Sequence, residues 1–566
     1  MYDFGMGFWG PNGHDGVWHI ALAESLARGS ENIPVFSGEL LKNYHIGFDL
    51  LLVILNKVTF IPIATLYFQI VPVLLAIGIG WSCYRFVYAW KHSKPSALWA
   101  TFFVYFGSGW GWLVTLVRNG EIGGESMFWS QQAVSTLVNP PFALSLILMF
   151  VGFELLVRSQ DDTDWISKIL LQLKSWFSRA KTNYHKTTNH CLSLATFFLG
   201  LLIFVKVYAG LLVLGALFVA SFLELIVWRK GIRVTKVFAG TLLLSLILFL
   251  PSLTTSGSII VWKPFWFLET MMQISDRLNW VRFGEAMIAY RLGGIWWKAI
   301  PAYIISFLIF WYGNAGSRLF SEWYLAKRFI KRKVDIIDVM IVSIITAGIL
   351  IPTFFVQSGT PWNTIQFLYY SLVFSGILAG IGFGEVHQKM SPRLLKLSSA
   401  FVLIAITIPT TLSTLAYNYV PSRPPAKVSN AEIRALDFLT NQPQGIVLTY
   451  PYDEVAARAA IDNPPRPLYL YESTAYVSAF SQHDVYLEDE VNLNITGYNW
   501  PERRAEVESF LAEKDQIKAR EFLLKNDIMY IYWVGGQRAV LGDSQLGLQK
   551  IFENEEVIIY EVVGER

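Results

Sequence analysis

Apolar residues fall along most of this chain in long runs separated by short polar breaks. A bilayer core about 30 Å thick needs roughly 20 apolar residues per helix, and nine runs approach or exceed that: Leu66–Tyr88, Ala97–Val117, Pro141–Val157, Val207–Trp228, Val237–Leu250, Trp297–Tyr312, Ile336–Phe355, Ile365–Phe383 and Leu397–Tyr417. Backbone groups in lipid must pair internally, so these runs are read as helices. A tenth run, Cys191–Val205, is short for a span and reads as completing a helix or a re-entrant hairpin before Lys206.

Lysine and arginine concentrate in alternate loops, at 85–94, 158–186, 229–236, 318–333 and 389–396. Short cytoplasmic loops retain such residues. The intervening segments 1–63, 118–139, 251–296 and 357–364 are poorer in them and are expected to face outward, as is everything after Tyr417. Counting Cys191–Val205 as a crossing keeps every loop on its proper side, which predicts ten crossings with Lys206 at an outer end. The outer segment that begins at Met1 is expected either to be translocated without a leading helix or to follow an N-terminal helix that precedes this sequence, the second being favoured.

The pattern changes at Pro421, where Pro421-Ser422-Arg423-Pro424-Pro425 marks a linker. Beyond it a helix is predicted over Ala431–Thr440, capped near Ser429 and Asn430, then a strand at Gly445–Tyr450, helix over Arg503–Lys525, and strands at Met529–Val534 and Val557–Val562. The fold class predicted is mainly α: a polytopic transmembrane helical domain with a small C-terminal extracytoplasmic α/β domain. The divisions are 1–64, an outer loop with interfacial helices; 65–418, the transmembrane domain; 419–429, a linker; and 430–566, the outer domain. That domain shows no phosphate loop, nucleophile elbow or metal motif and reads as a lid or acceptor-recognition domain.

Composition sharpens the class. Of 566 residues 53% are hydrophobic and only 16% charged, with mean hydropathy +0.40. Soluble chains carry about 25% charged residues, so an ordinary cytosolic enzyme is excluded. Basic and acidic residues number 46 and 43, a balance that carries no nucleic-acid signature. Aromatics make up 15%, with 21 Trp and 26 Tyr, the types that anchor at the membrane boundary. Cys83 and Cys191 lie in or beside apolar runs, which leaves no disulfide framework or thiolate metal cluster.

Candidate chemistry gathers in the first outer segment. After Pro11-Asn12-Gly13, apolar positions Val17, Ile20, Ala21, Leu22 and Leu26 predict an amphipathic interfacial helix ending at Gly29. His14, Asp15 and His19 stand at its start, with Asp15 and His19 four apart on one face; His45 and Asp49 repeat that spacing at the start of the next apolar helix. A carboxylate at a helix start also serves as a cap, but two such pairs in one loop suggest a site: a general base oriented by imidazole. A hard-cation site would want more carboxylates at close spacing, so no metal or cofactor is indicated. Lys206 and Tyr208 interrupt a long apolar run, where a lysine either snorkels or meets an anion. The outer loop 258–291 carries Arg277 and Arg282 among aromatics, as a solvated face or as further cations. In the turn 357–364 and beyond, Asn363 and Gln366 stand three apart, and Gln366 fits a bond to another helix. The outer stretch Glu125–Gln132 reads as a polar loop with an aromatic anchor.

The segments GHDGVWHIALAESLARG, IPVFSGELLKNYHIGFDLL and TPWNTIQFLYYSLVFSGILAG, set in this layout, resemble the GT-C superfamily of integral-membrane glycosyltransferases, in the group of the protein mannosyltransferases and aminoarabinose transferases. The layout covers nearly the whole chain. The resemblance implies sugar transfer with inversion from a polyprenyl-phosphate donor to an acceptor on the outer face of the cytoplasmic membrane. It casts Asp15 as base, with His14, His19, His45, Asp49, Lys206, Tyr208, Arg277, Arg282, Asn363 and Gln366 in substrate binding. The implied partners are the lipid-linked sugar, an unidentified acceptor and the bilayer, without nucleic acid. A transporter, expected to show repeated halves and broken helices near the bilayer middle, or a non-catalytic scaffold with an outer binding domain, are the alternative readings.

Overall fold

The computed structural model describes residues 3–130, 139–159, 185–228, 232–253, 260–357, 360–421, 423–537 and 547–563. Most of the basic loop expected at 158–186 lies outside them, as do Arg229, Lys230 and parts of the expected loops at 131–132, 258–259 and 358–359. The chain forms two compact units: unit 1 holds Met1–Val71, Ser252–Gly257 and Asn418–Arg566, and unit 2 holds Pro72–Pro251 and Ser258–Tyr417. Among the described residues the strands are β1 (Met6–Phe8), β2 (Ile260–Trp262), β3 (Phe355–Gln357), β4 (Ala426–Val428), β5 (Ile446–Thr449), β6 (Arg466–Pro467), β7 (Asp484–Val485), β8 (Ile528–Val534), β9 (Leu548–Glu553) and β10 (Val557–Val562).

In unit 1 the two segments that the sequence reading separates, 1–64 and 430–566, fold together. β1 pairs antiparallel with β4, which pairs in parallel with β6. A second sheet runs β7-β5-β8-β10-β9, with β5 parallel to β7 and β8, and β10 antiparallel to β8 and β9. The helix Asn430–Thr440 starts with a capping box in which Ser429 and Glu432 exchange bonds with each other's backbone. Helix α1 (Asp15–Ala27) departs from the interfacial expectation. Every residue from Gly16 to Ala23 is buried, because α1 is sandwiched between α2 (Gly47–Thr59) and the short helix Tyr476–Ser481 of the C-terminal segment.

Unit 2 is helical and built for lipid. The described residues contain seven helices long and apolar enough to span, and two helix pairs that qualify together but bend, Lys94–Phe106 with Gly111–Asn119 at 47° and Arg393–Thr407 with Pro409–Asn418 at 42°. The shorter apolar helix His190–Val205 stands apart from these nine. The ten crossings expected from the loops would require this short helix to span as well.

At the centre of unit 2 lies the helix Pro361–Lys389, whose apolar window is wholly buried. Gly376, Gly380 and Gly384 share one face of it. A Cβ on Gly380 would stand 2.3 Å from the Ala100 nitrogen, and one on Gly384 would stand 2.7 Å from the Ser96 Cα. The stripe lets the helix Lys94–Phe106 approach backbone to backbone, the small-residue packing that association in lipid relies on.

Three chain breaks converge nearby. At Gly107–Trp110, Gly316–Leu319 and Thr407–Ile408 the helices are interrupted, and the freed groups close on one another. Arg318, 1% exposed, donates to the Asn314 carbonyl at 3.0 Å and to the Gly107 carbonyl. Trp110 N–H donates to the Gly313 carbonyl at 2.7 Å, and the Ser317 and Thr407 hydroxyls lie 2.6 Å apart. Irregular backbone in a spanning protein persists only where such partners satisfy it. Elsewhere in unit 2, Glu154 pairs with Arg85 and Arg158, and Asp335 and Asp338 pair with Arg328 and Lys91.

Candidate active site

In unit 1 a tight turn, Gly10–Gly13, delivers His14 and then Asp15 as the first residue of α1. The unpaired N–H groups of a helix start favour a carboxylate there. Asp15 keeps 44% of its side chain exposed and His14 35%, with His14 Nδ1 3.2 Å from Asp15 Oδ1. Burial opposes a charge on His14, but the Asp15 hydrogen bond and the charges of Asp15 and Asp489 raise its pKa above the ordinary imidazole value.

The two pairs spaced four apart are not the pairs that form. Asp15 binds His14 and not His19; Asp49 binds His19 and not His45. His19 Nδ1 lies 2.8 Å from Asp49 Oδ1, with the side chains 5% and 0% exposed. The His19 ring stacks on Tyr67 at 6.0 Å and meets Phe48 edge-on at 5.8 Å. His45 stacks on Tyr44 at 4.6 Å. Burial raises the Asp49 pKa and the His19 charge opposes the rise. Asp49 Oδ2, Tyr67 Oη and Trp18 Nε1 are buried without a hydrogen-bond partner among the described residues. One carboxylate of the loop is therefore sealed beneath an imidazole, and the other keeps part of its side chain exposed.

A third acidic residue, absent from the sequence reading, joins this corner. Asp489 follows β7 with φ of 54°, caps the helix Glu490–Thr496 by accepting from Asn492 N at 3.0 Å, and is 3% exposed. Burial pushes its carboxyl up to about 7, and the charges of His14 and Asp15 act on it. Asp tolerates that left-handed conformation better than most residues, but the juxtaposition with Asp15 is a tertiary product that no local pattern in the sequence signals.

In unit 2 the remaining candidates gather around the start of the helix Pro361–Lys389. Lys206 occupies the gap between the helices Leu202–Val205 and Val207–Phe222, is 5% exposed, and has Nζ 3.4 Å from Asn139 Oδ1. Tyr208 donates to Gln357 Oε1 at 3.2 Å and packs on Phe367 at 5.0 Å, while Gln357 N–H donates to Thr364 Oγ1 at 2.6 Å. Arg277 is 3% exposed. It pairs with Asp276 at 2.8 Å and is clasped by the rings of Trp129 and Trp362 at 4.3 and 4.7 Å, with Nε unpartnered among the described residues. Trp129, from the outer stretch read as a polar loop, has φ of 77° and joins Trp266 and Trp362 in one aromatic cluster. Gln366 Nε2 lies 3.3 Å from Asn363 Oδ1, a bond within one helix where a bond between helices was expected. Arg282 is exposed on the helix Val281–Leu292, outside this cluster. Of these residues, Arg277 and Trp362 meet at the start of the long helix Pro361–Lys389, the end at which a helix dipole is positive.

Among the described residues no three His, Cys, Asp or Glu side chains are grouped to hold a metal ion.

No family model and no curated protein matches the chain. Among solved structures it is similar to the Archaeoglobus fulgidus oligosaccharyltransferase in the apo form, with TM-score 0.49 and 10% identity over 94% of this chain. It spans 66% of that protein's length. It is similar also to ArnT from Cupriavidus metallidurans, with TM-score 0.48 and 11% identity over 100% of this chain and 96% of that one. A third likeness is to the mycobacterial arabinofuranosyltransferase AftD, with TM-score 0.48 and 12% identity over 99% of this chain and 42% of that one.

Proposed function

We propose that the protein is a membrane glycosyltransferase that moves a sugar from a polyprenyl-phosphate donor to an acceptor hydroxyl on the outer face of the cytoplasmic membrane. The observation that carries this reading is the different fate of two carboxylates in one loop. Asp49 is sealed and tied to His19, whereas Asp15 is held open at a helix start beside His14. A general base must reach the proton it takes, and Asp15 is the exposed member of the two.

In the proposed reaction the acceptor oxygen attacks the anomeric carbon and forms the new glycosidic bond. Its proton passes to an Asp15 carboxylate oxygen, and the bond from the anomeric carbon to the phosphate oxygen breaks with its electron pair on the phosphate. Such a leaving group requires positive charge, for which Lys206 and Arg277 of unit 2 are the cations that the resemblance names. Asp276 engages Arg277 Nη1, and Nε has no partner among the described residues and would take a further acceptor. The breaks in unit 2, a feature also expected of transporters, are closed by their own side chains, which favours the enzyme reading.

The test is transfer by the full chain in lipid vesicles from a panel of labelled polyprenyl-phosphate sugars to envelope acceptors. Loss by about 10²–10⁴-fold in Asp15→Asn, with an unchanged unfolding midpoint, is expected. Equal rates in the two proteins overturn the assignment.

A further inference from the structure

A pocket in unit 1 lies at the seam between the first segment of the chain and the last, and no step of the transfer reaction uses it. Its walls are the turn 36–42, the loop 497–499 and one face of the helix Trp500–Ala512. It has about 380 Å³ of room, within the range of small-molecule sites. The turn is fixed along its length. Ser37 N–H donates to the Val485 carbonyl at 3.0 Å, Lys42 N–H donates to the Tyr498 hydroxyl at 3.1 Å, and that hydroxyl donates to the Leu40 carbonyl at 2.6 Å.

Glu39, Lys42, Glu502, Arg503 and Glu506 all line this one space, yet among the described residues none of the five forms an ion pair. Other contacts hold four of them apart. Lys42 Nζ sits 4.2 Å over the Tyr498 ring. The Arg503 guanidinium lies 3.5 Å from the Phe36 ring and 4.7 Å from the Tyr486 ring, and its Nη1 donates to the Ser37 and Tyr486 carbonyls at 3.0 and 2.9 Å. That leaves Nε and Nη2 without a partner among the described residues, the edge of a guanidinium that grips a carboxylate or phosphate with two parallel bonds. Glu502 Oε2 accepts from the Asn499 amide at 2.6 Å and Glu506 Oε2 from the Tyr486 hydroxyl at 2.8 Å. The other oxygen of each carboxylate is left for a further donor.

Both signs of charge are thus held in place around a common space without neutralising each other. A simple anion meets three carboxylates there, and a simple cation meets Lys42 and Arg503. We infer that this pocket binds a small zwitterion, a molecule with an anionic group and an ammonium a few bonds apart. Its anion bridges Lys42 and the free edge of Arg503, and its ammonium donates to Glu502 and Glu506. Arg503 and Glu506 stand three apart on one helix, which puts their Cβ atoms about 5–6 Å apart, a spacing that a ligand of a few bonds satisfies. An α-amino acid and phosphoethanolamine share this chemistry. The bound anion joins the first segment, through Lys42, to the last, through Arg503, so it favours the folded form of unit 1. The site is independent of the proposed transfer.

The experiment titrates the full chain in lipid nanodiscs by saturation-transfer NMR with two zwitterions, glycine and phosphoethanolamine, and with acetate, inorganic phosphate and methylamine as their halves. At least one zwitterion should bind, and each half at least tenfold more weakly. Lys42→Met, which keeps the stem over Tyr498, and Glu506→Gln, which keeps an acceptor for Tyr486, should each weaken binding about tenfold by loss of one charged partner. Lys518→Met, on the helix Gln516–Lys525 and outside the pocket, should bind as the parent does. Matching unfolding midpoints without ligand establish that the variants fold. Binding of glycine alone identifies an amino-acid ligand and binding of phosphoethanolamine alone a headgroup, and either upholds the site. Failure of both zwitterions, a half that binds as tightly as the whole, parental affinity in Lys42→Met or Glu506→Gln, or an equal loss in Lys518→Met each overturns the inference.

Discussion

His19 and Asp49 meet at 2.8 Å across 30 residues of chain, and each thereby leaves the partner that stands four residues away. The bond pins α1 to α2 through two almost wholly buried side chains, and it assigns the loop's two aspartates opposite fates.

Removing His19 leaves a carboxylate buried without its counter-group, a change that costs about 3–5 kcal/mol for buried pairs. His19→Ala should therefore unfold at a markedly lower temperature in detergent. Asp15→Asn, at an exposed position, should lose activity and keep its midpoint. A His19→Ala protein as stable as the parent would show that the pair holds nothing together.

Stability should decline as pH rises from about 5 to 8. Burial pushes the carboxyls of Glu24, Asp489 and Glu490 up to about 7 and that of Glu488 up to about 8, against about 4 in an unfolded chain. Between those values the folded state holds more protons than the unfolded one, so the free energy of unfolding falls with pH. The contribution is complete below about pH 4 and is lost through pH 7 to 8. Thermal unfolding followed across a pH series checks this, and a midpoint that rises over the interval contradicts it.

Gly380→Ala places a methyl 2.3 Å from the Ala100 nitrogen, with backbone and no flexible side chain in the way. Forced overpacking of this kind costs about 1–3 kcal/mol. Gly215→Ala, where a Cβ meets nothing within 4 Å, serves as the control and should change the unfolding midpoint little.

Arg318→Leu should be among the most damaging single changes in unit 2. It strands the carbonyls of Gly107 and Asn314, each at about 1–3 kcal/mol when left buried without a donor. Yield of folded protein and chemical unfolding in micelles report the loss.

Much of the architecture is legible because period and length carry it. The strand Val557–Val562 and the helix ending at Thr440 fall where apolar alternation and the Ser429–Glu432 cap place them. The single helix expected over Arg503–Lys525 is two, Trp500–Ala512 and Gln516–Lys525, because Asp515 caps the second by accepting from Ile517 and Lys518. The runs Ala97–Val117 and Leu397–Tyr417 hide their bends, since hydropathy does not register the glycines around Ser108 or the proline at 409 that interrupt the helix. The site divides in the same way. Asp15 and Lys206 stand out as polar groups in unusual places. Asp489 does not, since only the folding of the C-terminal segment against the first one puts it beside His14.

The indole of Trp9 donates to the carbonyl of Pro421, 412 residues further on, next to the pairing of β1 with β4. At about 5–20 residues per second of synthesis, the first strand waits roughly 20–80 s for its partner to be made. Through that interval the edge of β1 and the apolar sides of α1 stand uncovered on the face of the membrane to which they were delivered, accessible to holding chaperones and to proteases. The seam between β1 and β4 therefore closes only once Ala426–Val428 has been made, and a chain released before Ala426 has no strand with which to close it.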